Sequence, residues 1–209
     1  MEKYKNKLIV TTLITLLPVV IGLLFYKDLP GQIPVHFDLA GNPDSFARKY
    51  MVIFFLPFFL AVVHVGTILY TLHDPKKKNI GNKMLGITFY LFPIISVIVN
   101  TTIFIYALGY KLDITRVVML FLGFMFIILG NYLTKIHQNY TVGIKLPWTL
   151  NSTENWNKTH RMASRLFIAC GTLLLINATF KSMTLFFIIV VILIFVPIIY
   201  SLVLYKKGI

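Results

Sequence analysis

The sequence predicts an all-α fold, a polytopic membrane bundle with about six transmembrane helices. Three observations point there. Of the 209 residues, 57% are hydrophobic and only 13% are charged, about half the charged share of a soluble domain. The hydrophobic residues fall in continuous runs near the length of about 18 residues that a lipid bilayer requires, with no heptad pattern. Nor do they alternate with polar residues in segments of about ten, as a membrane barrel demands. Helices remain, because lipid offers backbone amides no other partner.

The first run, Leu8 to Tyr26, follows Lys3, Lys5 and Lys7. At 1.5 Å per residue it reaches about 28 Å, close to the hydrocarbon thickness. It resembles a signal peptide, but no small-residue cleavage site follows, so it reads as a retained helix. The second run is Met51 to Leu72 and the third Met84 to about Ala107. The fourth is Thr115 to Leu133, the fifth the shorter stretch from about Leu166 to Phe180, and the sixth Thr184 to Tyr205. Two domains are expected, residues 1–72 as a helical hairpin with an outer loop and residues 73–209 as a four-helix region with a cytoplasmic loop at 134–165.

Lysine and arginine placement orients the chain. With the N-terminus inside, 14 of the 20 basic residues fall in cytoplasmic segments and 6 outside, so both termini are expected in the cytoplasm of a cell-membrane protein. The formal charge of +13 follows from these flanks. The basic residues form no single face, and nucleic acid is not an expected partner; the lipid bilayer is. A lone cysteine, Cys170, excludes an internal disulfide.

Two loops are long enough to carry function. In the inner one, Pro147 stops a helix and pushes Leu146 toward an extended form. Asn151 reads as the cap of a new helix with Glu154 as capping-box partner, running from about Ser152 into the fifth span. Trp156, His160, Ala163 and Phe167 then share one face, and Lys158, Arg161 and Arg165 another. Such a helix, with Trp148 and Trp156, suits the headgroup layer as an anchor. It suits equally a recognition surface for a cytoplasmic partner.

The string Gly130-Asn131, Asn139, Gly143-Ile144-Lys145-Leu146-Pro147-Trp148-Thr149-Leu150, Trp156 and Thr159-His160-Arg161 resembles the signature of the SdpI family, bacterial membrane proteins of toxin immunity. The family pattern usually has Arg-Thr at Lys145-Leu146 and often proline at Gln138. The resemblance makes Asn131, Asn139, Gly143, Lys145, Pro147, Trp148, Trp156, His160 and Arg161 candidate binding residues. It implies protection against a secreted, membrane-active peptide toxin without enzymatic chemistry. It also implies a signalling role in which the cytoplasmic loop sequesters a transcriptional repressor.

The outer loop, Lys27 to Tyr50, holds a short extended piece, Ile33 to Leu39, and a Gly-Asn-Pro-Asp turn. It resembles an uncharacterised element that often precedes the SdpI signature. His36, Asp38 and Asp44 are its candidate binding residues. His36 and Asp38 would point the same way along a strand and could begin a metal site. The further ligands are missing, so no metal and no cofactor is expected. Within the spans, His64 and Asn100 stand out, with Ser96 and Asn177 beside them. They read as hydrogen bonds between helices, or as the lining of a path in a small transporter or exporter, which is the alternative function. No nucleophile motif, phosphate loop or carboxylate pair suggests an enzyme.

Overall fold

The computed structural model describes residues 2–209. Among them six helices are long and apolar enough to cross a membrane. They are α1 (Glu2–Leu24), α2 (Lys49–Leu72), α3 (Asn82–Ala107), α4 (Ile114–Leu133), α6 (Thr153–Phe180) and α7 (Met183–Lys206), with a short α5 (Pro147–Asn151) before α6. Five of the six expected spans lie within one of these helices, and the first, Leu8 to Tyr26, overshoots α1 by two residues. Pro18, Pro57, Pro93 and Pro197 sit inside helices, as membrane helices tolerate. The chain is an all-helical multi-pass membrane protein, apart from one antiparallel pair, β1 (Gln32–Phe37) and β2 (Pro43–Arg48).

The outer loop is therefore a hairpin, not one extended piece and a turn. The second strand was hidden by its composition: Pro43, Asp44 and Ser45 are poor strand formers. The turn between the strands needs Gly41 at φ 84°, a conformation natural to glycine.

The chain packs as two compact units. The first takes residues up to Leu72 together with Leu85–Ile114; the second takes His73–Met84 with Thr115–Ile209. In the first, Leu29 and Ile33 of the hairpin region are buried with Val52, Ile53, Ile103 and Phe104. A Cβ on Gly22 would come within 2.8 Å of the Ile53 side chain and 3.1 Å of Phe104, so α1 packs flush only because that position is glycine. In lipid there is little hydrophobic drive between helices, and close approach of this kind replaces it.

The second unit uses the same device along α4 and α6. A Cβ on Gly123 would meet the Gly171 carbonyl at 2.9 Å, one on Gly171 would meet the Gly123 carbonyl at 2.7 Å, and one on Gly130 would meet the Ser164 carbonyl at 2.9 Å. The Ser164 hydroxyl donates back to the Gly130 carbonyl at 2.7 Å. Cys170, Leu174, Ile189 and Leu193 form the adjoining core with α7. Asn177 clasps the α6–α7 turn, its side-chain amide donating to the Ser182 carbonyl at 2.9 Å and its oxygen accepting from the Ser182 amide at 3.1 Å.

Candidate functional site

The segment 134–150, expected as an interfacial anchor or a recognition surface, is folded into a hydrogen-bonded hub within the second unit. Asn139 is fully buried. Its oxygen accepts from the Thr141 and Val142 amides at 2.9 and 2.7 Å, and its nitrogen donates to the His137 and Val142 carbonyls, both at 2.9 Å. One side chain thus fixes four backbone groups that no regular element would satisfy. Asp74 ties this turn down from the preceding loop. Its carboxylate accepts from the Tyr140 amide and the Thr141 hydroxyl, both at 2.9 Å, and from the Lys76 amide at 2.7 Å. Gln138 bridges onward: its carbonyl accepts from Asn79 at 2.7 Å, and its side chain donates to the Thr149 and Leu150 carbonyls at 3.1 and 2.8 Å.

Gly143, at φ 124°, crosses over the buried faces of Trp156 and His160. A Cβ there would lie 2.5 Å from His160 Nε2 and 2.9 Å from Trp156. The two rings stack with centroids 4.0 Å apart. The Ile144 amide donates to His160 Nε2 at 3.0 Å, so this nitrogen is an acceptor. Nδ1 then carries the proton, donated to the Trp156 carbonyl at 2.8 Å. The network therefore assigns a neutral imidazole with one defined tautomer. The Trp156 indole donates to the Ile136 carbonyl at 2.8 Å.

These placements correct several expectations. Trp156, His160 and Ala163 are at most 1% exposed, so this face of α6 is packed inside the protein and is not offered to lipid headgroups. The helix cap is Ser152, extended at φ −128°, whose hydroxyl accepts from the Asn155 amide at 3.1 Å. Asn151 still closes α5, and Glu154 pairs with Lys158 at 2.7 Å instead of completing a capping box. Leu146 is extended as expected, at φ −120° and ψ 153°, but Pro147 starts the short α5 at a position where its missing N–H costs nothing. Trp148 is half-buried, its indole donating to the Ser201 hydroxyl at 2.9 Å and its ring stacked on Tyr205.

The nine candidate residues of this loop thus divide. Asn139, Gly143, Trp156 and His160 are knit into the hub, and Pro147 and Trp148 hold α5 beside it. Asn131, Lys145 and Arg161 are exposed, with only the Lys145 ammonium tethered, 3.3 Å from the Tyr140 carbonyl. Asp74, Gln138 and Asn155 were missed. Asn155 is fully buried, and its amide donates to the carbonyls of Ser201 and Ile209 at 3.0 and 3.1 Å. The one sequence signal for Asp74 was its isolation, a single carboxylate beside Lys76, Lys77 and Lys78.

On the outer hairpin, His36 Nδ1 meets Asp44 Oδ1 at 2.6 Å, both exposed. Asp38 lies past the end of β1, so the strand alternation that would align it with His36 does not reach it. Its carboxylate accepts from the Ala40 and Asn42 amides at 2.9 and 2.8 Å. The Asn42 amide, above all, holds the Asp38 carboxyl below the usual carboxylate range. Among the described residues no three metal-ligating side chains cluster. A cavity of about 600 Å³ opens between the hairpin turn at Gly41 and Asn42 and the end of α3 at Tyr106 with the α3–α4 loop at Tyr110 and Lys111.

Within the spans, His64 is fully buried and Nε2 lies 2.9 Å from the Thr11 hydroxyl, which itself donates to the Lys7 carbonyl. Ser96 donates to the Thr15 carbonyl at 2.7 Å, and Asn100 donates to the Ser96 carbonyl at 2.8 Å. The His64–Thr11 and Ser96–Thr15 contacts link membrane helices, each such bond worth about 0.6 kcal/mol on average, whereas Asn100 bonds back within α3. His64 Nδ1 and Asn100 Oδ1 make no hydrogen bond among the described residues.

Residues 135–201 match the model of the SdpI/YfhL protein family, and residues 13–61 match a domain of unknown function, DUF1648. The resemblance seen in the motif holds: residues 135–201 match the SdpI family model, and the stretch before them matches the uncharacterised element. The chain is 25% identical over 182 residues to the immunity protein SdpI of Bacillus subtilis (strain 168), a match covering 85% of this chain and 84% of that protein. No solved structure matches.

Proposed function

We propose that this chain is a non-enzymatic immunity protein that protects the cell membrane against a secreted, membrane-active peptide. The observation that carries the reading is its similarity to the immunity protein SdpI across 85% of its length. The toxin approaches from outside, where the exposed His36–Asp44 pair and the neighbouring cavity offer the sizeable polar surface. Inside, the exposed Asn131, Lys145 and Arg161 around the rigid hub form the surface that sequesters a transcriptional repressor once toxin is bound. Such signalling needs a toxin-bound state in which that surface is differently exposed.

The test is a survival curve in a sensitive bacterium challenged with candidate membrane-active peptides, with mass spectrometry of the recovered peptide. Surviving cells with intact peptide support binding. Protein-dependent cleavage would make this an enzyme and sink the reading. The double variant His36→Ala/Asp44→Ala should lower the protective concentration limit by about tenfold, the effect of about 1.4 kcal/mol, at unchanged abundance. A transporter reading draws on His64 and Asn100, whose side chains keep one unbonded polar atom each. Protein-dependent solute flux in proteoliposomes, with no protection against any peptide, would favour it.

A further inference from the structure

A second cavity, of about 670 Å³, opens on the flank of α6 and α7 inside the second unit. On α6, Lys158, Arg161 and Arg165 line one end and Leu166 and Ala169 the other; Tyr200 and Leu204 of α7 lie across from the basic end, where Asn155 reaches the Ser201 carbonyl. From Lys158 to Ala169 the helix rises about 16 Å, so the cavity is basic at its head and apolar along its length. Neither the hub nor the outer hairpin uses these groups.

The charges at its head are not balanced by the protein. Lys158 has Glu154. Arg161 and Arg165 are exposed and make no hydrogen bond or ion pair among the described residues. Like charges four positions apart destabilise a helix, and two guanidiniums one turn apart present their planar forks to the same space. An anion between them removes that repulsion and meets the geometry guanidinium favours, the paired oxygens of a phosphate. A free anion would need only the basic end. The apolar wall, leading from Arg165 onto residues of a membrane-spanning helix, matches something carrying both a phosphate and a hydrocarbon chain.

We propose that this cavity is a binding site for an anionic phospholipid, its phosphate held between Arg161 and Arg165 and an acyl chain laid along Leu166 and Ala169. The site goes beyond the immunity reading and does not depend on it; the two share Arg161 alone, and Arg165 belongs to the lipid site only. It also differs from a diffuse headgroup attraction, because it assigns the preference to two residues.

The full-length protein is reconstituted in nanodiscs of phosphatidylcholine mixed with phosphatidylglycerol, and the lipid retained after release is read by native mass spectrometry. The parent should retain phosphatidylglycerol over phosphatidylcholine. Arg161→Gln/Arg165→Gln should lose that preference by about tenfold or more, at about 1 kcal/mol for each basic residue near an anionic surface. Lys5→Gln/Lys78→Gln, with the same charge loss elsewhere, should keep it. Thermal unfolding in phosphatidylcholine alone, equal for parent and variants, separates lost lipid from lost fold. Equal retention of the two lipids by the parent overturns the site. So does displacement of the retained lipid by inorganic phosphate, which would mark a soluble-anion site. Unchanged retention in the arginine variant also overturns it, and leaves the surface to a protein partner.

Discussion

At the scale of single residues, Gly143 and His160 constrain one another. A backbone at φ 124° passing 2.5 Å from the ring, measured to a would-be Cβ, leaves room for no other side chain. Gly143→Ala should cost about 1–3 kcal/mol by overpacking, before any backbone strain is counted. His160→Ala leaves the Ile144 amide without its acceptor and uncovers the Trp156 ring; about 1–3 kcal/mol follows from the lost hydrogen bond alone. Both are checked in a Trp148→Phe background, where Trp156 is the sole remaining tryptophan of two. A lowered unfolding midpoint with red-shifted Trp156 emission is the expected result, and blue emission unchanged from the parent would show that the hub does not rest on this contact. The sequence announced that Gly143, Trp156 and His160 belong together only as members of a motif. It could not say that the motif is a set of mutual contacts, because the partners are far apart in the chain. Tyr140 finds Asp74 across 66 positions, and no local pattern encodes such a pairing.

At the scale of elements, the helices were legible and the hairpin was only half so. Lipid permits one spanning solution, so a long apolar run translates almost directly into a helix. A strand outside the membrane has no such compulsion. β1, with Ile33 and Val35, showed extended character, whereas β2 begins with proline and aspartate and is held by its pairing to β1, Ile33 opposite Ala47 and Gln32 opposite Arg48. What the apolar runs did not reveal is which helices touch. That is written in small residues, and Gly123, Gly130 and Gly171 carry the α4–α6 seam. Gly171→Leu should force the two helices apart at the 2.7 Å approach to the Gly123 carbonyl, a loss of about 3 kcal/mol or more. Gly66, whose Cβ would meet nothing within 4 Å, is the matched control: Gly66→Leu should leave unfolding in detergent unchanged. Equal unfolding of the Gly171 variant and the parent would mean that close packing is not what joins α4 to α6.

At the scale of the whole molecule, the question is which ends of the six spans face the cytoplasm, and the charges give the prediction. Lys3, Lys5 and Lys7 precede α1; Lys76, Lys77 and Lys78 follow α2; Lys135 and Lys145 follow α4; Lys206 and Lys207 end α7. Alternate connections therefore carry the basic clusters, and the intervening ones carry few, which is the pattern that holds a multi-pass protein with those clusters inside. The connection from α1 to α2 carries Lys27, Arg48 and, at the start of α2, Lys49, the largest exception. Lys49 is not free to act as a topological signal in the folded protein: its ammonium donates to the Tyr26 and Leu29 carbonyls at 2.9 and 3.2 Å and lies over the Tyr26 ring. Reporter fusions after Lys49 and Tyr110 should accordingly read outside, and fusions after Lys77, after Glu154 and at the C-terminus inside. A cytoplasmic signal after Lys49 would reverse the orientation. It would put the His36–Asp44 hairpin on the repressor's side of the membrane and the hub on the toxin's side, and the proposed division of labour would fail with it. The same fusions after Lys77→Gln/Lys78→Gln test the cause: with Lys76 and Lys83 still in that segment, the bias should weaken without inverting.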